Sequence, residues 1–285
     1  MNIVLTVGSL HYDIMVEAET LPRRDETAIG SKWYPKFGGK GGNQAVAVAK
    51  AGAPSRMVGA IGNDEFGRFL RHQLSKSSVD DRFVATIPGA ASGMSVAIQD
   101  KAGDYAATIV SGANQRIDPD ALAADAVWND VGLLILQNEV PETVNIAAAR
   151  QARAHGLPTV LNAAPARALS TDFSALVDIL VVNSVEAEMM GTCAVHDLAT
   201  ALVAARDLSS KFKTVIVTVG SAGLAACAST GETFSIPAEK VQVVSSHGAG
   251  DAFIGTLAAR LAAGDDIPTA CKAASLAAAR HVAGQ

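Results

Sequence analysis

The segment Ser246-His247-Gly248-Ala249-Gly250-Asp251-Ala252-Phe253 sets an acid directly behind a glycine turn and directly before an apolar stretch, residues 254–263, rich in Ala and Leu. That stretch predicts a helix, so Gly248, Ala249 and Gly250 present backbone N–H groups that lack intrahelical partners and form an anion site. A carboxylate beside an anion site is unfavourable unless it takes a proton from a nucleophile that attacks the anion. Phosphoryl transfer to an alcohol needs that arrangement. Asp251 as a plain helix cap is the competing reading, and this segment alone does not separate the two.

A second glycine cluster, Phe37-Gly38-Gly39-Lys40-Gly41-Gly42-Asn43-Gln44-Ala45, also opens a helix. It is not a phosphate-binding loop of the Walker type, because Gly41 follows Lys40 where Ser or Thr would stand, and its spacing misses the dinucleotide fingerprint. It offers close backbone approach plus Lys40 and Asn43 at a helix start, which suits a ligand rich in hydroxyls. A tight turn needing positive φ at glycine explains the same residues.

The elements that must carry these clusters follow from the hydrophobic pattern. Short Val, Ile and Leu runs at 3–7, 56–61, 131–136, 158–161, 179–182 and 214–219 read as buried strands, and 43–51, 64–76, 142–155 and 196–210 read as helices. Apolar strands alternating with helices predict an α/β fold of three layers, α/β/α, with a mostly parallel central sheet covered on both faces. Residues 12–37 and 92–110 break that rhythm with period-2 alternation and read as antiparallel hairpin pieces, a small β lid over the strand ends. The whole chain, 1–285, is expected to be one domain with that lid.

With 49% hydrophobic residues the chain can bury a sizeable core, and its formal charge of −5 with no long basic run argues against nucleic acid as a partner. Cys193, Cys227 and Cys271 are odd in number and widely spaced, as expected of buried free thiols in a reducing compartment. The N-terminus lacks a cationic signal region, and no apolar run reaches the length of a membrane span. A cytoplasmic protein with no membrane partner is expected.

Taken together, Gly39-Lys40-Gly41-Gly42-Asn43-Gln44-Ala45, followed by Gly52 and Gly62, and Gly248-Ala249-Gly250-Asp251-Ala252-Phe253 with Gly255 resemble the paired signatures of the ribokinase-like (PfkB) carbohydrate kinases. Gly112-Ala113-Asn114, Gln137-Asn138-Glu139, Asn162-Ala163-Ala164-Pro165-Ala166 and Thr218-Val219-Gly220-Ser221-Ala222-Gly223 fall between them in the matching order. The resemblance implies transfer of the γ-phosphoryl of ATP, with Mg²⁺, to a primary hydroxyl of a sugar. It implies Asp251 as general base and the Gly248, Ala249 and Gly250 amides as the anion hole. Asn183 would lie near the nucleotide phosphates, and Glu186 of the same Asn-x-x-Glu element would hold Mg²⁺ through water; taken alone that element reads as a helix cap. Thr218, Gly220, Gly223 and Ser275 would flank the nucleotide, while Asp13, His11, Gly39, Lys40, Asn43 and Glu139 would surround the sugar. A homodimer through the lid is implied as well.

The chain departs from the family pattern at four places. His11 replaces an Asn on the sugar side, which points to altered acceptor choice. Ser245-Ser246-His247 replaces an Asp-Thr-Thr or Asp-Thr-Val lead-in, and the chain given ends at Gln285, where further cation ligands would follow, so Ser245 and His247 make a weak site for an activating K⁺. Ser275 stands where ribokinases carry His. A nucleoside kinase of the same superfamily, or a non-catalytic sugar or nucleotide sensor on this scaffold, shares most of these residues and stays open. An NAD-dependent oxidoreductase fits poorly, since no strand is followed by the dinucleotide fingerprint and a distal acid.

Overall fold

A computed structural model describes residues 2–102 and 104–285. In chain order its strands and helices are β1 (Ile3–Val7), β2 (His11–Ala18), β3 (Gly30–Gly38), α1 (Lys40–Lys50), β4 (Ser55–Gly62), α2 (Glu65–Lys76), β5 (Val79–Ile87), β6 (Met94–Gln99), β7 (Tyr105–Val110), α3 (Asp125–Trp128), β8 (Val131–Gln137), α4 (Glu142–Ala154), β9 (Thr159–Asn162), α5 (Thr171–Ser174), β10 (Ile179–Asn183), α6 (Ser184–Met189), α7 (Leu198–Leu208), β11 (Thr214–Thr218), β12 (Gly223–Cys227), β13 (Thr233–Pro237), α8 (Ala249–Ala262) and α9 (Ile267–Val282). Nine strands form one sheet in the order β13-β12-β11-β10-β9-β8-β1-β4-β5. The pairs from β11 to β5 are parallel, and β12 and β13 add an antiparallel edge.

The expected mostly parallel sheet is therefore present, with helices over both faces. One face is closed by α4 and α7 through residues such as Val144, Ala148, Ala201 and Ala205, which pack with Leu134, Leu136 and Val217. The other is closed by α8 and α9 through Phe253, Ile254, Leu257 and Ala274, which pack with Ile135, Val181 and Ile216. Burying a side chain of this kind contributes about 1.5–3 kcal/mol.

The differences from the sequence reading have local causes. Helix α1 begins at Lys40 instead of residue 43, because Gly39 takes φ +86°, turns the chain out of β3 and leaves Lys40 free to start the helix. Asp64 precedes α2 as its cap, accepting the Gly67 N–H at 2.7 Å. Strand β5 was not expected, because at the sheet edge its charged Asp80, Asp81 and Arg82 interrupt the apolar run. The sequence Gly-Leu-Ala-Ala-Cys of β12 lacks the β-branched residues that mark strands, yet it is buried throughout. Cys227 and Cys271 are buried free thiols as expected, whereas Cys193 is free and exposed.

The two irregular segments meet in a second sheet, ordered β3-β2-β6-β7. Each forms an antiparallel hairpin as expected, but β2 and β6 join the hairpins in parallel. Register places His11 opposite Gly38, Asp13 opposite Lys36, and Asp13 beside Ser95. Directly opposed residues share a face, so His11, Asp13, Lys36, Gly38 and Ser95 lie together on one side of this small sheet.

Candidate active site

Helices α1 and α8 start next to each other. Gly248 caps α8 in the left-handed region with φ +85°, where a Cβ would also come within 2.9 Å of the His281 ring. Gly255, nearly two turns into α8, lies so close to α1 that an added Cβ would sit 2.4 Å from Ala47 Cβ and 2.7 Å from Val48 N. This approach brings the first turns of both helices together. Asn43 Nδ2 donates to Asp251 Oδ2 at 3.2 Å, and Gln44 Nε2 donates to Asp251 Oδ1 at 3.0 Å. Gln44 Nε2 also donates to Asn162 Oδ1 at 3.1 Å, tying the end of β9 to the pair.

The Asp251 carboxyl is reached from two clefts, yet enough protein rings it that desolvation pushes its pKa up to about 6. The Lys40 charge and the Gln44 and Asn43 hydrogen bonds oppose that rise, and the Glu139 charge adds to it. A carboxylate with a pKa near neutrality that is still ionised at pH 7 has the character of a general base.

Glu139 follows β8 and is fixed by donors. Its Oε2 accepts from Ser9 Oγ at 2.5 Å and from the Lys40 N–H at 2.8 Å, a carboxylate at the N-terminus of α1. Asp13 Oδ1 accepts from Ser95 Oγ at 2.5 Å; burial raises its pKa against the effects of that bond and of His11 and His247. His11 is buried and its Nε2 has no partner among the described residues, an unpaired polar atom on the site face of the small sheet. Asn43, His247, Gly248 and Asp251 line a cleft of about 500 Å³ with Lys36, a residue the sequence reading did not single out.

On the other side of Asp251, a pocket of about 130 Å³ is lined by Lys40, Asn183, Glu186, Thr218, Gly248 and Gly250. Asn183 and Glu186 do form a capping box on α6: Asn183 Oδ1 accepts the Glu186 N–H at 2.8 Å, and Glu186 Oε2 accepts the Asn183 N–H at 2.9 Å. The cap reading and the site reading thus hold at once, since the same box aims a buried carboxylate into the pocket. Burial raises the Glu186 pKa, opposed by the Asn183 bond and the Lys40 charge. Its oxygen chemistry fits Mg²⁺.

Not all of the amides at the start of α8 are free. The Ala249 N–H points to the Ser246 carbonyl at 3.4 Å, which leaves Gly248, Gly250 and Asp251 N–H groups unpaired among the described residues. Gly220 and Gly223 adopt φ +48° and +117° in the turn after β11, and Ser275 lies on α9; none of the three lines either cleft. In the Ser245-His247 loop, Ser245 Oγ accepts the His247 N–H at 3.3 Å, and the His247 carbonyl meets His281 Nε2 at 2.9 Å. The loop carries no acidic side chain. Gln44, which donates to Asp251, and Asn162, which accepts from Gln44, are further residues that sequence reasoning gave no role; the adjacency of Gln44 to Asn43 was the available signal.

Comparison with known proteins agrees with this arrangement. The pattern described as pfkB family carbohydrate kinase matches residues 1–283. Ribokinase of Mus musculus is 34% identical over 91% of this chain and 81% of its own length, and ribokinase of Bacillus subtilis is 31% identical over 99% and 93%. The structure of Arabidopsis thaliana ribokinase complexed with ribose and ATP superposes with a TM-score of 0.89 at 27% identity, covering 99% of this chain and 92% of that one. An acid poised between two glycine-opened helices on this fold, matched along nearly its whole length, places the chain in the pfkB family of carbohydrate kinases, and it is an ATP-dependent sugar kinase.

Proposed function

We propose that Asp251 takes the proton from a primary hydroxyl of a sugar as that oxygen attacks the γ-phosphorus of ATP. The new O–P bond forms as the bond from the γ-phosphorus to the ADP oxygen breaks, and the proton passes to an Asp251 oxygen. The observation that carries this reading is the position of Asp251, open both to the cleft with Asn43 and to the pocket with Lys40 and Glu186. Gly248, Gly250 and Asp251 N–H groups would meet the charge on the transferred group, where losing one such donor typically costs about 10²–10³ in rate. Asn183 and Thr218 border the phosphate side. Mg²⁺, held through Glu186, would neutralise phosphate charge when bound. Asp13, His11, Gly39, Lys40, Asn43 and Glu139 would hold the acceptor beneath the small sheet as a lid.

One domain with a lid, acting as a cytoplasmic dimer, fits the same reading. The small sheet exposes Trp33 and Ile109, and among the described residues no helix is long and apolar enough to cross a membrane.

Two measurements test it. Purified protein with Mg·ATP, with and without K⁺, is expected to phosphorylate a sugar in a panel of pentoses, other sugars and nucleosides, with the product position read by phosphorus NMR. Turnover of nucleosides alone would move the acceptor class, and no turnover of any acceptor would end the reading. Because the base must be ionised, kcat/KM for the acceptor is expected to be flat above pH 7 and to fall tenfold per pH unit below about 6. A profile without that limb would count against Asp251.

A further inference from the structure

The turn that leads into α8 has two accessible forms, and its own residues do not choose between them. Gly248 has φ +85° and ψ −1°, and the Ala249 N–H points to the Ser246 carbonyl at 3.4 Å, so residues 246–249 form a type II turn with glycine at its third position. A type I turn closes the same four residues and differs by about half a rotation of the central peptide, the one between His247 and Gly248. Glycine accepts either sign of φ, so Gly248 permits both. Packing adds little preference, since residues 241–247 are all exposed.

The central peptide carries the Gly248 N–H, one of the amides at the start of α8 with no partner among the described residues. It is trans, so its carbonyl and its N–H point in opposite directions and fixing one fixes the other. His281, in the last turn of α9, meets the His247 carbonyl through Nε2 at 2.9 Å. A carbonyl oxygen only accepts, so Nε2 carries the proton. The Gly248 N–H then points away from the imidazole. Gly248 lines both clefts beside Asp251, whereas His281 lines only the one shared with Asn43, which leaves this amide to the pocket of Glu186 and Thr218. The same helix end anchors the loop separately: the Val282 carbonyl accepts the Val244 N–H at 2.7 Å and the Ser245 N–H at 3.2 Å. Those two bonds are compatible with either turn. The His281 bond depends on which way the central peptide faces.

Resting on the assignment of the Gly248 amide to the transferred phosphoryl group, we propose that His281 is a positioning residue: by holding the His247 carbonyl it selects the type II turn and aims the Gly248 N–H at the charge on that group. In the type I form the same peptide turns its carbonyl, the negative end of its dipole, toward the phosphoryl oxygens. Charge on the transferred group matters most in the transition state, so the effect of His281 falls on kcat more than on the binding of either substrate.

The test measures kcat and both KM values, with Mg·ATP and whichever sugar the acceptor panel shows to be turned over, in the wild type, His281→Phe and His281→Gln. Phe keeps a ring against Gly248 without a donor, and Gln keeps a donor without the ring. His281→Phe is expected to lower kcat by about three- to tenfold, the shift in the turn equilibrium that one hydrogen bond supplies. Both KM values are expected to stay within about twofold of wild type, the pattern of an interaction made in the transition state. His281→Gln is expected to retain most of kcat, and thermal melts of both variants are expected to match the wild type, because the Val282 bonds keep the loop on α9. An unchanged kcat in His281→Phe would overturn the role of His281 and leave the sugar kinase reading standing. So would an equal loss in both variants, which would assign the effect to the ring packed on Gly248, or a rise in KM at constant kcat. Failure of the wild type to turn over any acceptor would overturn the sugar kinase reading itself and this inference with it.

Discussion

Asp251→Asn is expected to lower kcat by roughly 10²–10⁴ while leaving the acceptor dissociation constant within a few-fold of wild type. The amide keeps the size of the side chain but cannot take a proton from the hydroxyl. The same variant is expected to be more stable than wild type above pH 6, and this separates loss of chemistry from loss of fold. The folded-state pKa of about 6 lies above the ordinary carboxylate value of 3.8, so the folded protein holds this proton more tightly than the unfolded chain. Below pH 3.8 the group is neutral in both states and contributes nothing. Between 3.8 and 6 stability falls as pH rises, and above 6 the ionised carboxyl costs at most about 3 kcal/mol. Asn removes that cost and gives up one hydrogen bond from Asn43 or Gln44, about 1 kcal/mol. A net gain of about 1–2 kcal/mol at pH 7.5, vanishing towards pH 4, is expected in urea titrations. A variant with full turnover would remove Asp251 from the role of base.

Gly255→Val is expected to be the most damaging substitution away from the reacting groups. Even the Cβ would meet Ala47 Cβ at 2.4 Å and the Val48 backbone nitrogen at 2.7 Å, and neither can swing aside as a long side chain would. The helices must separate, at a cost of about 1–3 kcal/mol or more for an overpacked interior. Separation also pulls Asn43 and Gln44, on α1, from Asp251, on α8, and a misplacement of about 1 Å costs on the order of 10² in rate. Thermal melts should show the lower Tm, and kcat measured well below it should still be depressed. A variant with wild-type kcat at that temperature would show that the α1 and α8 contact does not set the alignment of the base.

How much of this was legible in the sequence depended on whether a residue's role is local. The Gly248 to Asp251 turn is local: a glycine cap, free amides and an acid are all properties of one helix start, and they were readable. So were the parallel strands, whose Val, Ile and Leu runs can be buried on both faces in few other ways. The ring of partners around Asp251 is not local. Gln44 and Asn162 meet through a bond spanning 118 residues, and nothing in either neighbourhood announces it. Lys36 was hidden for a related reason. It stands two residues before a glycine pair that draws attention, and what brings it to the cleft is the register that sets it opposite Asp13. A slip of one residue would turn it to the other face. The sharing of the Ala249 amide with Ser246 likewise depends on how the loop enters α8.

The register of the small sheet has a mechanical consequence. Tyr12 pairs with Phe37 and with Met94, and Met94 with Val110, so all four passages of the chain between the two sheets occur at one end. The other end, near Ala18, Gly30 and Gln99, has no such tether. The sheet is a cantilever, and the parallel seam between β2 and β6 binds its two hairpins into one beam. Any swing of that beam turns about its root, where displacement is least and where His11, Asp13 and Gly38 stand. The free tip sweeps the largest arc, so access to the cleft can change widely while the groups at the root stay close to their working positions.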